Sequence, residues 1–316
     1  MEQPIIEPVD PSLIEAELTP ARFLRDTCKG NNKIYVVDGP EAPHVMREIG
    51  RLREQAFRAA GGGTGLSCDI DEFDMMENPC HQMIVWDPQA REILGGYRFI
   101  PGNEVHIKPG GSPNIATGHM FRFSPEFIKD YLPYTLELGR AFVRIDKQST
   151  RDGIKALFTL DNLWDGLGAL TIVYPHIKYL FGKVTMYPSY NQQCRNMILY
   201  FMMKHFPDSE SLVTPIEQIT TDTDIKAMNE IFVHDNINDD YKELHSHIRS
   251  LGFNIPPLVN AYIGLSPTMK VFGTAINHEF GKVEETGIFF AISDIYEAKN
   301  ARHRGSFSPE TSGLCD

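Results

Sequence analysis

An α/β protein is what the sequence predicts, its strands and helices alternating around one bulged strand, with a second α/β block toward the C-terminal end. Three observations carry this. Tyr134 to Ile145 is a strand-like apolar run with Glu137, Gly139, Arg140 and Arg144 set into it. Segments of strand character alternate with apolar stripes at helical spacing from Lys33 to His205. After a polar, linker-like stretch at 207–222, helical patterns and then strand patterns resume. The expected boundaries are a lead-in at 1–32, a core at 33–206, an extension packed on it at 207–305 and a disordered tail at 306–316.

In order, Leu13 to Leu18 is a short helical piece, and Lys33 to Val37 is the first strand of the core, closed by Asp38-Gly39-Pro40. Val45, Ile49, Leu52 and Ala56 recur at helical spacing, so a helix is expected from Ala42 to Ala60. Arg53 and Phe57 lie at the margin of its apolar face, and Arg47, Arg51 and Arg58 are expected in solvent. Gly61-Gly62-Gly63 ends that helix. The loop beyond it holds Asp69, Asp71, Glu72, Asp74 and Glu77. Their spacing is not that of an EF-hand, so solvated or cation-positioning carboxylates are expected rather than a metal site. His81 to Trp86 and Glu92 to Ile100 read as a strand pair around Asp87-Pro88-Gln89-Ala90. His81 is expected to be a satisfied core histidine, and Arg98, between Tyr97 and Phe99, is either a cleft residue or a rim charge.

A loop rich in glycine, proline and asparagine spans 101–118, and Met120 to Phe127 leads into the bulged strand. Ile154, Leu157, Leu160, Trp164, Leu167 and Leu170 then stripe a helix that Pro175 ends, with Asp152 as its N-cap. Tyr179 to Met186 is a strand and Pro188 to His205 a buried helix, whose Met197, Met202 and Met203 read as core filler. Helices at Thr223 to Val233, Asn238 to Leu251 and Leu258 to Leu265 follow, then strands at Lys270 to Ile276 and Gly287 to Ile292.

Composition narrows the function classes. A net charge of −12 argues against nonspecific nucleic-acid binding. The five cysteines are scattered and form no CxxC pair, so neither a zinc ribbon nor a disulfide framework is indicated, and a reducing cytoplasm fits. Met1 to Pro20 lacks a signal-peptide apolar run. The richest apolar run, Met197 to Met203, falls far short of the roughly 20 residues of a membrane span.

The strand at 134–145 carries the chemistry. Strict alternation would put Leu136, Leu138, Arg140, Phe142 and Arg144 on one face, and Glu137, Gly139, Ala141 and Val143 on the other. A glycine inside a strand marks a bulge, which re-aims side chains and leaves backbone N–H groups unpaired. Glu137 and Arg140 can then share a cleft beside free donors, an arrangement suited to acyl transfer. An edge strand with a salt bridge is the plainer reading of the same residues.

The order of elements resembles the acyltransferase fold of the GNAT superfamily, a mixed, twisted sheet with a bulged central strand flanked by helices. Within it, the sequence is similar to the carrier-protein-dependent branch shared by LuxI-type acylhomoserine lactone synthases and the N-acyltransferases of ornithine and glycine lipids, some of which are labelled hemolysins. Leu52-Arg53-Glu54-Gln55-Ala56-Phe57 resembles that branch's Arg-x-x-x-Phe helix, and Asp71-Glu72-Phe73-Asp74 its Asp-x-x-Asp loop. Gly96-Tyr97-Arg98-Phe99 resembles its Gly-x-Arg strand, and Glu137-Leu138-Gly139-Arg140 its Glu-x-x-Arg pair. Leu163 to Leu167, Leu180 to Val184, Gly252 to Tyr262 and Asn277 to Gly281 resemble segments of the lipid enzymes, with Asn277-His278 where those have Asp-Pro. The stretch Gln148 to Gly153 lacks the glycine spacing by which CoA-using members hold pyrophosphate at a helix N-terminus.

The resemblance implies an acyltransferase that forms an amide between a long-chain, optionally 3-hydroxylated, acyl group and a small amino acid, glycine before ornithine. The donor implied is an acyl-phosphopantetheine thioester on acyl carrier protein rather than free CoA, with no bound cofactor or metal. Glu137 is the candidate general base, with Arg140 beside it. Backbone N–H groups near Gly139 would polarise the thioester. Arg53, Phe57, Asp71, Asp74, Arg98 and Gly139 are the candidate substrate-binding residues, Arg98 or Arg140 as a carboxylate clamp. Residues 140–155 hold Arg140, Arg144, Lys147, Arg151 and Lys155 against two acids, and the last four are the expected docking face for the acidic carrier protein. An amphiphilic product implies a cytoplasmic enzyme with peripheral contact to the inner membrane face. A lactone-forming signal synthase, a non-catalytic acyl-ligand or carrier-protein binding module, and a lytic protein are the competing readings. The long C-terminal region argues against the first, the retained Glu137 and Arg140 against the second, and the lack of a spanning or cationic amphipathic segment against the third.

Overall fold

The computed structural model describes residues 2–147 and 153–315, without the side chains of residues 147 and 153–158. Its strands are β1 (Phe23–Asp26), β2 (Lys33–Asp38), β3 (His81–Asp87), β4 (Glu92–Pro101), β5 (Phe121–Phe123), β6 (Thr135–Val143), β7 (Tyr179–Met186), β8 (Val213–Pro215), β9 (Lys270–Asn277) and β10 (Val283–Ala291). Its helices are α1 (Pro11–Glu17), α2 (Pro43–Ala60), α3 (Glu72–Met75), α4 (Gly153–Val173), α5 (Gln192–His205), α6 (Ile225–Ile231), α7 (Ile237–Ser250), α8 (Pro257–Ile263) and α9 (Glu297–Arg304).

Eight strands form a single sheet in the order β1-β2-β3-β4-β6-β7-β10-β9, while β5 and β8 pair separately. Neighbours in the large sheet are antiparallel except for β6 and β7. That exception positions the site. The two strands pair only over Thr135–Glu137 and Tyr179–Phe181. Beyond those residues β6 stays with β4 and β7 stays with β10, and a cavity occupies the gap between them.

The bulge expected at Gly139 is present. Between the pairs Arg98–Gly139 and Gly96–Phe142, β6 carries one residue more than β4. Arg140 lies in this bulge with φ of +47°, the left-handed region that a residue with a Cβ seldom occupies. The extra residue inverts the alternation. Leu136, Leu138, Ala141 and Val143 pack in one core, and Phe142 crosses to the core on the opposite face. Strict alternation, which grouped Phe142 with Leu138 and Ala141 with Glu137, fails at that point.

Each face of the sheet is covered by helices whose apolar stripes explain their packing. Val45, Ile49, Leu52 and Ala56 of α2 pack with Tyr35, Ile84 and Trp86 on one face. On the other, Leu163, Leu167 and Leu170 of α4 join Met197, Ile198 and Phe201 of α5, Leu244 and Ile248 of α7 and Val259 of α8. Gly166 of α4 lies directly against Met83 of β3, where a Cβ would have no room. Gly61 ends α2 in the left-handed conformation at φ +96°.

Several elements differ from the sequence expectation. Arg51 is buried rather than solvated, held by Glu48 through bonds of 2.5 and 2.8 Å. His81 is no core histidine but sits half-buried between Asp38, at 2.5 Å, and Glu104, at 3.1 Å. Met120 to Phe127 shortens to β5, and Phe127–Tyr131 coils into a single π-helical turn. β1 and α9 were not anticipated, because both are short and carry charged residues. The tail expected to be disordered forms a turn at Pro309–Thr311, and Gly313 N–H donates to the Phe23 carbonyl of β1 at 2.9 Å. Residues 207–305 supply β9 and β10 to the one sheet, β10 pairing with β7 from Tyr179 to Met186.

Candidate active site

A cavity of about 820 Å³ lies in the gap between β6 and β7. Tyr97, Leu138, Val184, Met186, Ile255 and Tyr262 give it an apolar wall, and it reaches the loop before α8. A second cavity, of about 280 Å³, has more charged residues in its lining, with Asp71, Arg98, His119, Glu137 and Asn277 beside Phe73 and Phe280. The two share Leu138, Gly139, Arg140, Lys183 and Phe280. They therefore meet at the bulge of β6. Past Glu137 the β6 backbone pairs with β4 alone, and Gly139 leaves open space where a side chain would be.

Of the acidic loop, Asp69, Asp71 and Asp74 are partners for three arginines, while Glu72 and Glu77 are exposed. Arg53 and Asp74 are both fully buried, with Nη1 of Arg53 3.2 Å from each Asp74 oxygen and its Nη2 donating to Gln82. Asp71 caps α3, accepting from Phe73 N–H at 3.0 Å, while its own N–H donates to Asp74 Oδ2 at 3.0 Å. Arg98 Nη1 donates to Asp71 at 2.6 Å and to Asp74 at 3.3 Å. Arg140 meets Asp69 at 3.0 Å and Asp71 at 3.4 Å, and its guanidinium lies 4.4 Å from the centre of the Phe280 ring. Phe280 in turn makes an edge contact with Phe57 at 4.9 Å.

This network sets the charges. Burial works to raise the Asp74 carboxyl, but Arg53 and Arg98 overcome it and hold the group well below the usual carboxylate range. Burial dominates at Asp69 and pushes it up against the pull of Arg140, Arg53 and Arg98. Asp74 and Asp71 keep the buried Arg98 charged although burial opposes it. Arg98 and Arg140 thus reach the smaller cavity already ion-paired.

Glu137 stands apart from that network. Its Oε1 accepts from Thr117 N–H at 3.2 Å and Thr117 Oγ1 at 2.9 Å. Among the described residues its Oε2 has no hydrogen-bond partner, and the carboxyl lines the smaller cavity. Burial pushes its pKa up, with Thr117, Arg98 and Lys183 pulling it back only in part. A buried carboxylate with one bare oxygen and a raised pKa suits a proton acceptor near neutral pH.

Lys183 was not anticipated, although a single lysine among the apolar residues of its strand was a visible signal. Its Nζ binds Glu285 at 2.6 Å. Thr117, His119 and Phe280 also escaped sequence reasoning as site residues, since each reaches the site through a loop or hairpin distant in the chain, whereas Asp69 belongs to the acidic loop expected to position cations. Of the residues expected to dock a carrier protein, Arg144 is ion-paired to Glu92 at 3.1 Å and Asp146 at 2.8 Å. Arg151 and the side chains of Lys147 and Lys155 lie outside the described residues. No group of three or more His, Cys, Asp or Glu placed to hold a metal occurs among the described residues. No helix among them is long and apolar enough to cross a membrane.

The sequence has close relatives among known proteins. Residues 52–157 match the family described as Acetyltransferase (GNAT) domain. The chain is 61% identical to a glycine N(alpha)-acyltransferase of Bacteroides thetaiotaomicron over 303 residues, 96% of this chain and 90% of that protein. It is 57% identical to a glycine N(alpha)-acyltransferase of Phocaeicola vulgatus, over 96% of this chain and 93% of that one. A solved structure of the CoA-dependent acyl-homoserine lactone synthase BjaI, with SAM and isopentyl-CoA, aligns over 88% of this chain and 91% of its own at 12% identity and a TM-score of 0.35. A relative sharing three residues in five along nearly the whole length leaves no ambiguity of descent, and the chain belongs to the family of GNAT acyltransferases that includes these two glycine N(alpha)-acyltransferases.

Proposed function

We propose that this N-acyltransferase moves a long-chain fatty acyl group from an acyl carrier protein thioester to the α-amine of glycine, the first step in making an amino-acid lipid. The observation that carries the reading is the meeting of two unlike cavities at the β6 bulge. The larger, apolar one suits an acyl chain on a pantetheine arm, and the smaller one, with its charged lining residues, suits an amino acid. Holding amine and thioester at one junction turns a bimolecular encounter into an oriented one.

In this mechanism Glu137 Oε2 takes the proton of the attacking amine, directly or through a water. Thr117 fixes the carboxylate through its other oxygen. Backbone N–H groups at the bulge donate to the thioester carbonyl as it becomes an oxyanion. Asp71 and Asp74 preset Arg98 and Arg140, and Arg98 is the proposed contact for the acceptor carboxylate, since it reaches the smaller cavity from the floor of the sheet. Arg53 acts further back, locking Asp74. Phe57 and Gly139 shape the donor side. Glycine is favoured by the two relatives' names. Carrier protein is favoured over CoA by the sequence of residues 148–153 and the basic residues 144–155.

The test is thiol release by purified protein given a long-chain acyl carrier protein thioester or the matching acyl-CoA. Each donor is paired with glycine, ornithine or no acceptor, and products are read by mass spectrometry. Glycine-dependent release from the carrier protein, with N-acylglycine formed, is the expected result. Faster release from CoA would overturn the donor, and N-acylornithine as the main product would overturn the acceptor. Carrier-protein binding without release would favour a binding module.

A further inference from the structure

The two strands flanking the gap each bring one cation to the place where the cavities meet. Arg140 of β6 is committed, stacked on Phe280 and paired to Asp69 and Asp71. Lys183 of β7 is held differently. It lies on the wall of both cavities, and its Nζ is bound by Glu285 at 2.6 Å. Glu285 is fully buried and is fixed by Thr185 Oγ1 at 3.0 Å and Asn277 Nδ2 at 3.4 Å. Among the described residues that is the one hydrogen bond the ammonium makes, which leaves two of its three hydrogens for a ligand. A rigid carboxylate thus aims a charged amine at the junction, from the strand opposite the β6 backbone donors.

We propose that Lys183 is a catalytic residue whose ammonium binds the thioester sulfur as the carbon–sulfur bond breaks. The proposal rests on the acyl-transfer reading above. The amine nitrogen forms a bond to the carbonyl carbon, and the amine proton passes to Glu137 and on to water. The carbon–sulfur bond then breaks, and its electron pair leaves on sulfur. The ammonium, held in place by Glu285, pairs with the departing sulfur, which leaves as a thiolate. Water protonates it on release. The β6 N–H groups serve the carbonyl oxygen, so each developing negative charge has its own partner.

The experiment compares wild type, Lys183→Met, Lys183→Arg and the double variant Lys183→Met/Glu285→Gln. The double variant carries the test if Lys183→Met, with its stranded carboxylate, does not fold. Each protein receives glycine and one acyl chain on two donors, a pantetheine thioester and an aryl thioester with a more acidic thiol. With the pantetheine donor, kcat of the methionine variants is expected to fall about 100- to 1000-fold with little change in KM. With the aryl donor, which needs no help in leaving, the loss shrinks to under about tenfold, and Lys183→Arg retains more activity than Lys183→Met. Equal losses with both donors would make Lys183 structural, and no loss would remove it from the reaction; either overturns the proposal. Failure of wild type to form N-acylglycine from either donor and from the acyl carrier protein thioester would overturn the underlying reading instead.

Discussion

Glu137 shows how one residue trades stability for activity. Burial raises its pKa, so the folded protein binds that proton more tightly than the unfolded chain does. The resulting stabilisation is fully present below the ordinary carboxyl value and is lost as pH rises through the raised one. At neutral pH the ionised form is therefore a cost, and Glu137→Gln, which can still accept from Thr117, is expected to melt no lower than wild type. The gap should narrow toward pH 4, and turnover should fall about 100-fold or more. Thermal melts at several pH values alongside the thiol-release rate check this, and a lower melting temperature at neutral pH would make Glu137 a structural anchor. His81 gives the opposite case for a base. Burial lowers its pKa, but Asp38 and Glu104 outweigh that and raise it to about 9. Its contribution to stability is complete below its ordinary value of 6.5 and disappears as pH rises through about 9. The melting-temperature difference between wild type and His81→Ala should close over that interval, and a pH-independent difference would assign His81 to packing alone.

At the scale of elements, the β6 bulge separates what the chain reveals locally from what it does not. Gly139 inside an apolar strand announced a bulge, and the stripe of Val45, Ile49, Leu52 and Ala56 announced α2, because both depend on near neighbours. The inverted parity after Arg140 was not legible, since it depends on how β4 pairs across the bulge. The buried state of Arg51 depends on Glu48 and the packing around both, and the alliance of Glu137 with Thr117 on a loop twenty residues earlier. Charge composition left the acidic loop either solvated or positioning a cation, and it could not show that three arginines from α2, β4 and β6 converge on it. A prediction belongs here. Because Gly139 has open space at its Cβ position, Gly139→Leu adds a side chain that starts into the cavity without a clash at Cβ. It should melt within a few degrees of wild type and raise KM for the acyl donor about tenfold or more. Unchanged donor kinetics would show that the acyl arm does not pass the bulge.

Across the whole molecule, the C-terminal third completes the site. β10 pairs along β7, the β9–β10 hairpin carries Phe280 over the junction, and Gly281 in its turn abuts Gly62 after α2. The hairpin thus closes the smaller cavity against the helix that bears Arg53 and Phe57. Phe280 stacks on Arg140 on one side and meets Phe57 on the other. Removing its ring should cost about 3 kcal/mol of stability, the usual loss for a buried phenylalanine cut to alanine. It should also enlarge the acceptor space. A longer amino acid gains from that space and glycine does not, and Glu72 and Glu279 on the same rim offer carboxylates to a second ammonium. Phe280→Ala is therefore expected to shift product toward N-acylornithine by about tenfold when glycine and ornithine compete, the scale of discrimination that a change of pocket shape provides. Mass spectrometry of the mixed products, on protein shown by circular dichroism to be folded, reads the ratio directly. A destabilised variant with an unchanged ratio would place the limit on acceptor size elsewhere and leave the hairpin a purely structural cover.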